Sequence, residues 1–311
     1  MTTHRLDETA TGVYIVSATP FSDDGSLDLE SARRLVDFYI DKGVSGITIL
    51  GMMGEAPKLS PQESEELLNC MLNHVDGRVP VIVGVSSAGL DNLLHLSRLS
   101  MDKGAAGVMI APVPGLGTEQ KIYTYFNQVF TALGDDIPVC YQDYPYATRS
   151  EISVSLFNRL VADFDQLVLL KHEDWPGLNK ITQIRETSAA QGIRRLSILV
   201  GNGGLYLPQE LQRGADGAMT GFAYPEMLVQ VVRLHQAGEM ERAEDLFDSY
   251  LPLIRHEQQP GFGLALRKEI LHRRGVLASP KVRAPGPILS GTDHQELTRL
   301  IKRLEKRIKD Q

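Results

Sequence analysis

Lys171 is the residue whose surroundings most clearly favour covalent chemistry. It directly follows four apolar residues, 167–170, in a stretch with the composition of a buried strand. A lysine held against apolar surroundings gives up its proton more readily, and the neutral amine is a nucleophile toward carbonyl groups. The pattern indicates an imine, or Schiff base, between Lys171 and a carbonyl compound. An ordinary solvated lysine at a strand end is the alternative interpretation.

Two other features follow apolar stretches. Tyr141 ends residues 138–141, the stretch before that of the lysine, and a phenol there can shuttle protons to and from a reacting group. A packed aromatic at the rim of the fold is the alternative. Residues 51–55 read Gly-Met-Met-Gly-Glu, where the glycines allow backbone N–H groups to face a ligand carboxylate and Glu55 can fix the loop. A plain tight turn explains residues 51–55 equally well.

The elements that must position these residues repeat along the chain. Eight short apolar or β-branched stretches recur roughly every 30 residues, with helical periodicity between them. The stretches are 13–18, 46–50, 80–85, 107–111, 138–141, 167–171, 196–201 and 217–220. Alternating strands and helices predict a parallel sheet, and the absence of a GxGxxG motif after the first strand favours an α/β fold closed as a (β/α)₈ barrel. Such barrels carry their active sites at the C-terminal ends of the strands, which would bring Lys171, Tyr141 and residues 51–55 together.

The organisation around these strands is also predictable. Ser60, followed by Pro61 and Glu63, has the pattern of a capped helix start. Residues 1–223 are expected to hold the barrel strands and most helices, and residues 224–311 the last barrel helix and a C-terminal helical extension. The predicted helices there are 224–237, 239–255, 261–274 and 293–309, with a proline-rich connector at 279–287. The apolar face of the last helix is interpreted as packing on the same chain.

Taken together, these residues resemble the dihydrodipicolinate synthase and N-acetylneuraminate lyase family of class I aldolases. The resemblance covers nearly the whole chain and includes 19–21, 51–55, 77–84, Tyr141, Lys171, Gly201 and 217–219. It implies that Lys171 forms the Schiff base, that Tyr141 is the proton shuttle, and that the loop of Gly51, Met52, Met53 and Gly54 binds the substrate carboxylate. It also implies a homo-oligomer, a tetramer built from dimers, that works on a small 2-oxo acid without a cofactor.

Departures from the family pattern bear on the substrate. Met52 and Met53 stand where the family usually has hydroxyl residues, and residues 111–114 lack the second tyrosine of the synthase. The synthase arginine falls near Ala147, with Arg149 close but out of register. Condensation of pyruvate with aspartate semialdehyde, the reaction of 4-hydroxy-tetrahydrodipicolinate synthase, is therefore kept as an alternative.

A branch that dehydrates or cleaves 2-keto-3-deoxy sugar acids matches more closely. Residues 141–145, 218–221 and 251–257 look like the 2-keto-3-deoxy-L-arabonate dehydratase subgroup, although that subgroup lacks a tyrosine at position 141. Asp143 is expected at the site mouth, where it would bind a sugar hydroxyl, assist proton removal or stabilise its loop. Gly201, Met219 and Thr220 are expected to line the site. The predicted function is a Schiff-base lyase, with a non-catalytic 2-oxo acid sensor as a further alternative.

Composition excludes other classes of function. The net charge of -7 and the pI near 5.7 provide no basic surface for nucleic acid. No apolar stretch reaches the roughly 20 residues that span a bilayer, and the opening residues do not resemble a signal peptide, so a cytoplasmic enzyme without membrane contact is expected. The eight histidines are scattered, and residues 256–260 lack the second histidine of an HExxH motif, which argues against a metal site. Cys70 and Cys140 are interpreted as small apolar residues, and His172-Glu173-Asp174 as a polar loop or a group that tunes Lys171.

Overall fold

A closed barrel of eight parallel strands forms the centre of the molecule, which confirms the predicted (β/α)₈ fold. The computed structural model describes residues 4–309. Each strand pairs in parallel with the next, and the eighth pairs with the first. The strands are β1 (Gly12–Val16), β2 (Gly46–Ile49), β3 (Val81–Gly84), β4 (Gly107–Ile110), β5 (Val139–Asp143), β6 (Leu167–His172), β7 (Ser197–Val200) and β8 (Gly217–Thr220).

Helices surround the strands and continue beyond them. Three short 3₁₀ helices, Met52–Gly54, Ala56–Lys58 and Asn202–Gly204, shape the loops after β2 and β7. The α-helices are α1 (Leu29–Asp41), α2 (Pro61–Val75), α3 (Leu90–Asp102), α4 (Glu119–Leu133), α5 (Pro145–Thr148), α6 (Val154–Asp163), α7 (Leu178–Gln191), α8 (Leu207–Gln212), α9 (Pro225–Gln236), α10 (Met240–Glu257), α11 (Gly263–Arg273) and α12 (Gly291–Lys309).

Local sequence explains how these helices begin and end. The hydroxyl of Ser60 accepts from the backbone N–H of Glu63, whose carboxylate accepts from the backbone N–H of Ser60, so α2 starts with the predicted capping box. The glycines that follow α1, α3 and α8 adopt φ values of +79°, +92° and +95°. These left-handed values end each helix and turn the chain toward the next strand.

Two apolar layers fill the molecule, because successive strand residues point to opposite faces. One layer lies inside the barrel and includes Met109, Cys140, Leu169 and Met219. The other lies between the strands and the helices and includes Tyr141 and Leu170, among many others. The side chain of a strand residue therefore reaches either the barrel interior or the helix layer, and a shift of one position exchanges the two.

The helices after β8 pack on the barrel and on one another. Helix α9 packs against β1 and α8, and α10 contacts α9, α11 and α12. Leu297 and Leu304 of α12 are buried within the chain, as expected for a face packed on the same subunit, while Ile308 is 40% exposed. Among residues 4–309, no helix is both long and apolar enough to cross a membrane.

Candidate active site

Three side chains meet at the C-terminal ends of β5 and β6. The amine of Lys171 lies 3.0 Å from the carboxylate Oε2 of Glu173, and the Gln142 amide Nε2 donates to the same oxygen at 2.7 Å. Lys171 is 4% exposed, Gln142 3% and Glu173 8%. A nucleophilic amine, a carboxylate that can take its proton and an amide that fixes the carboxylate thus form one buried cluster.

The alternation along β6 places Lys171 and Glu173 on the same face. Leu169 belongs to the barrel interior and Leu170 to the helix layer, so Lys171 points inward again. Glu173 is the next inward position, two residues on. The parallel pairing of β5 with β6 aligns Gln142 with Lys171, which explains why the Gln142 amide reaches Glu173.

The loop after β2 is held in a tight shape near this cluster. The backbone N–H groups of Gly54 and Glu55 donate to the carbonyls of Gly51 and Met52 at 3.0 Å each. The Thr19 hydroxyl donates to the Gly54 carbonyl at 2.5 Å, so the loops after β1 and β2 are joined. Gly51 and Met52 also line a cavity of about 460 Å³, together with Met109 and Gln142. The cavity therefore connects the loop to the Gln142 end of the cluster.

The loops after β7 and β8 lie on the other side of Glu173. A Cβ atom at Gly201 would lie 2.2 Å from Cγ of Glu173, so only glycine leaves room for this carboxylate. The Asn202 amide donates to the Glu173 backbone carbonyl at 3.3 Å. The Thr220 hydroxyl accepts from the Gly203 N–H at 2.7 Å, and Met219 lies inside the barrel. Gly201 is thus next to the cluster and Met219 lies in the barrel interior below it. Thr220 instead stabilises the loop after β7.

The placement predicted for Tyr141 is wrong. Its side chain lies in the helix layer, with its ring centroid 4.8 Å from that of Phe126 and 6.0 Å from that of Phe157. Its hydroxyl has no hydrogen-bond partner among residues 4–309, and burial raises the pKa of the phenol well above its usual value. Tyr141 pairs in register with Leu170, so it shares the outward face and does not meet Lys171.

Asp143 also faces away from the barrel interior, which corrects its predicted place at the site mouth. Lys180 Nζ donates to Asp143 Oδ2 at 2.7 Å and to Asp174 at 2.9 Å. Burial lowers the pKa of Lys180, but the two carboxylates outweigh burial and raise it. His172 Nδ1 lies 3.7 Å from Asp143, and His172 Nε2 is 3.1 Å from the Gly177 carbonyl. These contacts link β5 and β6 to α7 on the outer face of the barrel. Because His172 lies on that outer face, it does not face the Lys171 amine.

A second buried carboxyl group lies near Glu173. Glu210 on α8 is 7% exposed, and its Oε2 has no hydrogen-bond partner within the described part of the chain. Burial raises the pKa of Glu210 to about 8, and the charge of Glu173 adds to the rise. Sequence patterns gave no sign of this group, because a single glutamate in a short helix is usually solvated.

Other candidate residues lie outside the cluster. Arg149 stands over the ring of Tyr146, at 5.7 Å, and lines a groove between α4, α6 and α7. Cys140 is buried inside the barrel, and burial raises the pKa of its thiol, as expected for a small apolar residue rather than a nucleophile. No group of three His, Cys, Asp or Glu side chains within residues 4–309 is arranged to hold a metal ion.

Comparisons with known proteins extend these observations. The model of the dihydrodipicolinate synthetase family matches residues 9–304. L-2-keto-3-deoxyarabonate dehydratase from Azospirillum brasilense is 32% identical over 94% of each chain. The 4-hydroxy-tetrahydrodipicolinate synthase from Methanothrix thermoacetophila is 31% identical over 78% of this chain and 80% of its own. A crystal structure of dihydrodipicolinate synthase from Rhodopseudomonas palustris is 48% identical, with a TM-score of 0.94, over 96% of this chain and 99% of its own.

Proposed function

Because this chain belongs to the dihydrodipicolinate synthetase family, we propose that it is a class I lyase that binds a 2-oxo acid as a Schiff base on Lys171. We further propose that its substrate is a 2-keto-3-deoxy sugar acid, which it dehydrates or cleaves. The observation that carries this proposal is the buried contact of 3.0 Å between the Lys171 amine and the Glu173 carboxylate. The relative in Azospirillum named as a 2-keto-3-deoxyarabonate dehydratase supports it.

The contact between Lys171 and Glu173 allows the first step of the proposed reaction, formation of the imine. Proton transfer from the Lys171 ammonium to Glu173 gives a neutral amine, which attacks C2 of the substrate. Glu173, now a carboxylic acid, protonates the hydroxyl of the carbinolamine, and that hydroxyl leaves as water. The products are the protonated imine and a Glu173 carboxylate. The Gln142 amide is too weakly acidic to relay a proton, so its role is to hold Glu173 in place through the 2.7 Å hydrogen bond.

The second step uses the same carboxylate. The protonated imine acidifies the C3 hydrogens, and Glu173 removes one of them to form an enamine. The enamine expels the C4 hydroxyl, to which Glu173 returns the proton, so water leaves and a C3–C4 double bond forms. For cleavage, a base instead removes the proton of the C4 hydroxyl, and the C3–C4 bond breaks to an aldehyde and the enamine of pyruvate.

Condensation of pyruvate with aspartate semialdehyde is the second candidate function. The name of the Rhodopseudomonas structure, at 48% identity, favours it. The absence of a hydroxyl at Met52 and of a cation at Ala147 argues against it, since the synthase needs groups for proton relay and for the carboxylate of the second substrate. A comparison of kcat/KM separates the two: 2-keto-3-deoxy pentonates and hexonates should be used faster than pyruvate plus the semialdehyde. Faster condensation would contradict the sugar-acid proposal.

A sensor that binds a 2-oxo acid without converting it is separated from both enzymes by turnover. It would form the imine and release the same compound unchanged. Assembly as a homotetramer or dimer stays a prediction, since a monomeric synthase variant is among the solved structures with this fold. Cytoplasmic location also stays a prediction.

A further inference from the structure

We propose that Lys268, on the C-terminal extension, is a positioning residue that holds residues 51–54 in the shape that binds the substrate carboxylate, acting through Glu55. This inference rests on the proposed function, because it takes residues 51–54 as the carboxylate-binding loop. It assigns a functional role to a helix that follows the eight barrel strands.

Lys268 lies on α11 and is completely buried. Its amine donates to Oε1 of Glu55 at 2.5 Å and to the Lys281 carbonyl at 2.8 Å, and it stands 4.5 Å from the ring centroid of Phe21. A long cationic side chain is rarely buried unless it is paired, because removing its charge from water is costly. An apolar side chain would fill the same space without that cost, so stability alone does not explain a lysine here.

Glu55 connects this amine to the loop. It directly follows Gly54, is 2% exposed and adopts φ +54°, a left-handed conformation that non-glycine residues rarely adopt. Its Oε2 accepts from Lys58 Nζ at 2.8 Å and from the Arg283 backbone N–H at 3.0 Å, while Oε1 accepts from Lys268. Three donors therefore fix the carboxylate, and the carboxylate fixes the backbone at the end of the loop.

The backbone within the loop depends on this anchor. The Glu55 N–H donates to the Met52 carbonyl, and the Ala56 N–H donates to the Gly51 carbonyl at 3.4 Å. A rotation at Glu55 would therefore change which way the N–H groups of residues 51–53 point, while that of Gly54 is used within the loop by its bond to the Gly51 carbonyl. Since Met52 and Met53 have no hydroxyl, binding of a carboxylate by this loop depends on those N–H groups, and precise loop geometry matters more than in a loop with hydroxyl side chains.

The charge of Lys268 allows its positioning role to be tested through pH. A lysine that only filled space would not make carboxylate binding depend on its protonation. The titratable and charged groups that face it are Glu55, Lys58 and Arg283. Burial lowers the pKa of Lys268 to about 8 despite the opposing effect of Glu55. Above that pH the amine becomes neutral and its bond to Glu55 weakens. Carboxylate binding should therefore weaken as pH rises through about 8, whereas Lys268→Arg keeps its charge and should not show that part of the pH dependence.

The experiment measures the pyruvate concentration that half-saturates borohydride trapping at Lys171, by intact-protein mass, together with thermal unfolding. Lys268→Met and Glu55→Gln should raise that concentration by about tenfold or more, because a charged hydrogen bond that orders the loop is lost. Full trapping at saturating pyruvate should remain. Arg274→Met is the matched control, because Arg274 directly follows α11 and pairs with Glu226 at 2.6 Å, away from the loop. It should change the half-saturating concentration less than about twofold.

The outcomes are distinguishable. If Lys268→Met and Glu55→Gln bind pyruvate like the wild type, or if Arg274→Met weakens binding equally, the positioning role is contradicted. If Lys268→Met does not fold, Lys268→Arg decides through its pH profile: a profile identical to the wild type contradicts the proposal. A wild-type protein that traps no 2-oxo acid at any lysine contradicts the proposed function, and the positioning role is then rejected with it.

Discussion

Lys171 and Glu173 are two residues apart in the chain, and their amine and carboxylate meet at 3.0 Å inside the barrel. Because alternate strand positions share a face, this spacing alone brings the two groups together, and Gln142 on the neighbouring strand fixes the carboxylate. In the proposed mechanism the proton transfers therefore take place at the same strand end as the nucleophilic attack.

Glu173→Gln should lower kcat by about 10² to 10⁴-fold, the usual cost of losing a general acid or base. The amine of Lys171 remains, so trapping of pyruvate by borohydride should still be detectable after long incubation. Asp174→Asn is the matched control, because Asp174 pairs with Lys180 on the outside of the barrel. An equal loss of kcat in both variants would show that Glu173 acts only through the charge of the loop.

Tyr141→Phe should change kcat by less than about threefold, because the phenol lies among Phe126 and Phe157 and not at Lys171. Its melting temperature should stay the same or rise, since a buried hydroxyl without a partner costs about 1–3 kcal/mol. Steady-state kinetics and thermal unfolding monitored by circular dichroism check both points. A hundredfold loss of kcat would restore Tyr141 as the proton shuttle.

The contrast between Tyr141 and Gln142 illustrates what the sequence can predict. Lys171 closes an apolar stretch, and its position at a strand end follows from that pattern, whereas its inward direction follows from the placement of Leu169 inside the barrel and Leu170 in the helix layer. The stretch 138–141 is short and apolar on both faces, so its pattern does not reveal which residues point inward. The strand extends to Asp143, and its pairing with β6 shifts between Val139 and Cys140. The register, which depends on tertiary pairing, selects Gln142 instead of Tyr141.

Other parts of the site differ in how predictable they were. The sequence offers Glu173 as one of two residues that could tune Lys171, and its period-two spacing to Lys171, which places it on the inward face, distinguishes it from His172. Glu210 and Lys268 could not be found from the sequence, because their burial depends on packing between elements far apart in the chain. The barrel, its eight strands and the C-terminal helices followed from periodicity and capping signals, which are local.

Gly201→Ala should lower kcat by about tenfold or more, because the new Cβ would lie 2.2 Å from Cγ of Glu173 and displace its carboxylate. Gly201 has φ -103°, so alanine causes no left-handed strain there, and the effect should come from the contact alone. Gly291→Ala is the control, since no atom lies within 4 Å of its added Cβ. Unchanged kcat in Gly201→Ala would mean that Glu173 need not occupy its present position.

Glu210→Gln should stabilise the protein at alkaline pH. The folded-state pKa of Glu210 is raised from 4.5 to about 8, so the folded state binds a proton that the unfolded state releases. Its contribution to the free energy of unfolding is therefore present below pH 4.5 and is lost as pH rises to about 8. Glutamine removes that loss, so the gain in melting temperature over the wild type should grow between about pH 5 and pH 9. A constant difference across this range would contradict the assignment.

The imine on Lys171 is the central claim, and borohydride reduction in the presence of a 2-oxo acid tests it most directly. Pyruvate or a 2-keto-3-deoxy sugar acid should add irreversible mass to one peptide, the one that contains Lys171. Lys171→Ala should abolish both the adduct and turnover, because the neutral amine is the nucleophile. Peptide mapping by mass spectrometry that finds the adduct on a different lysine, or turnover that persists in Lys171→Ala, would contradict the account.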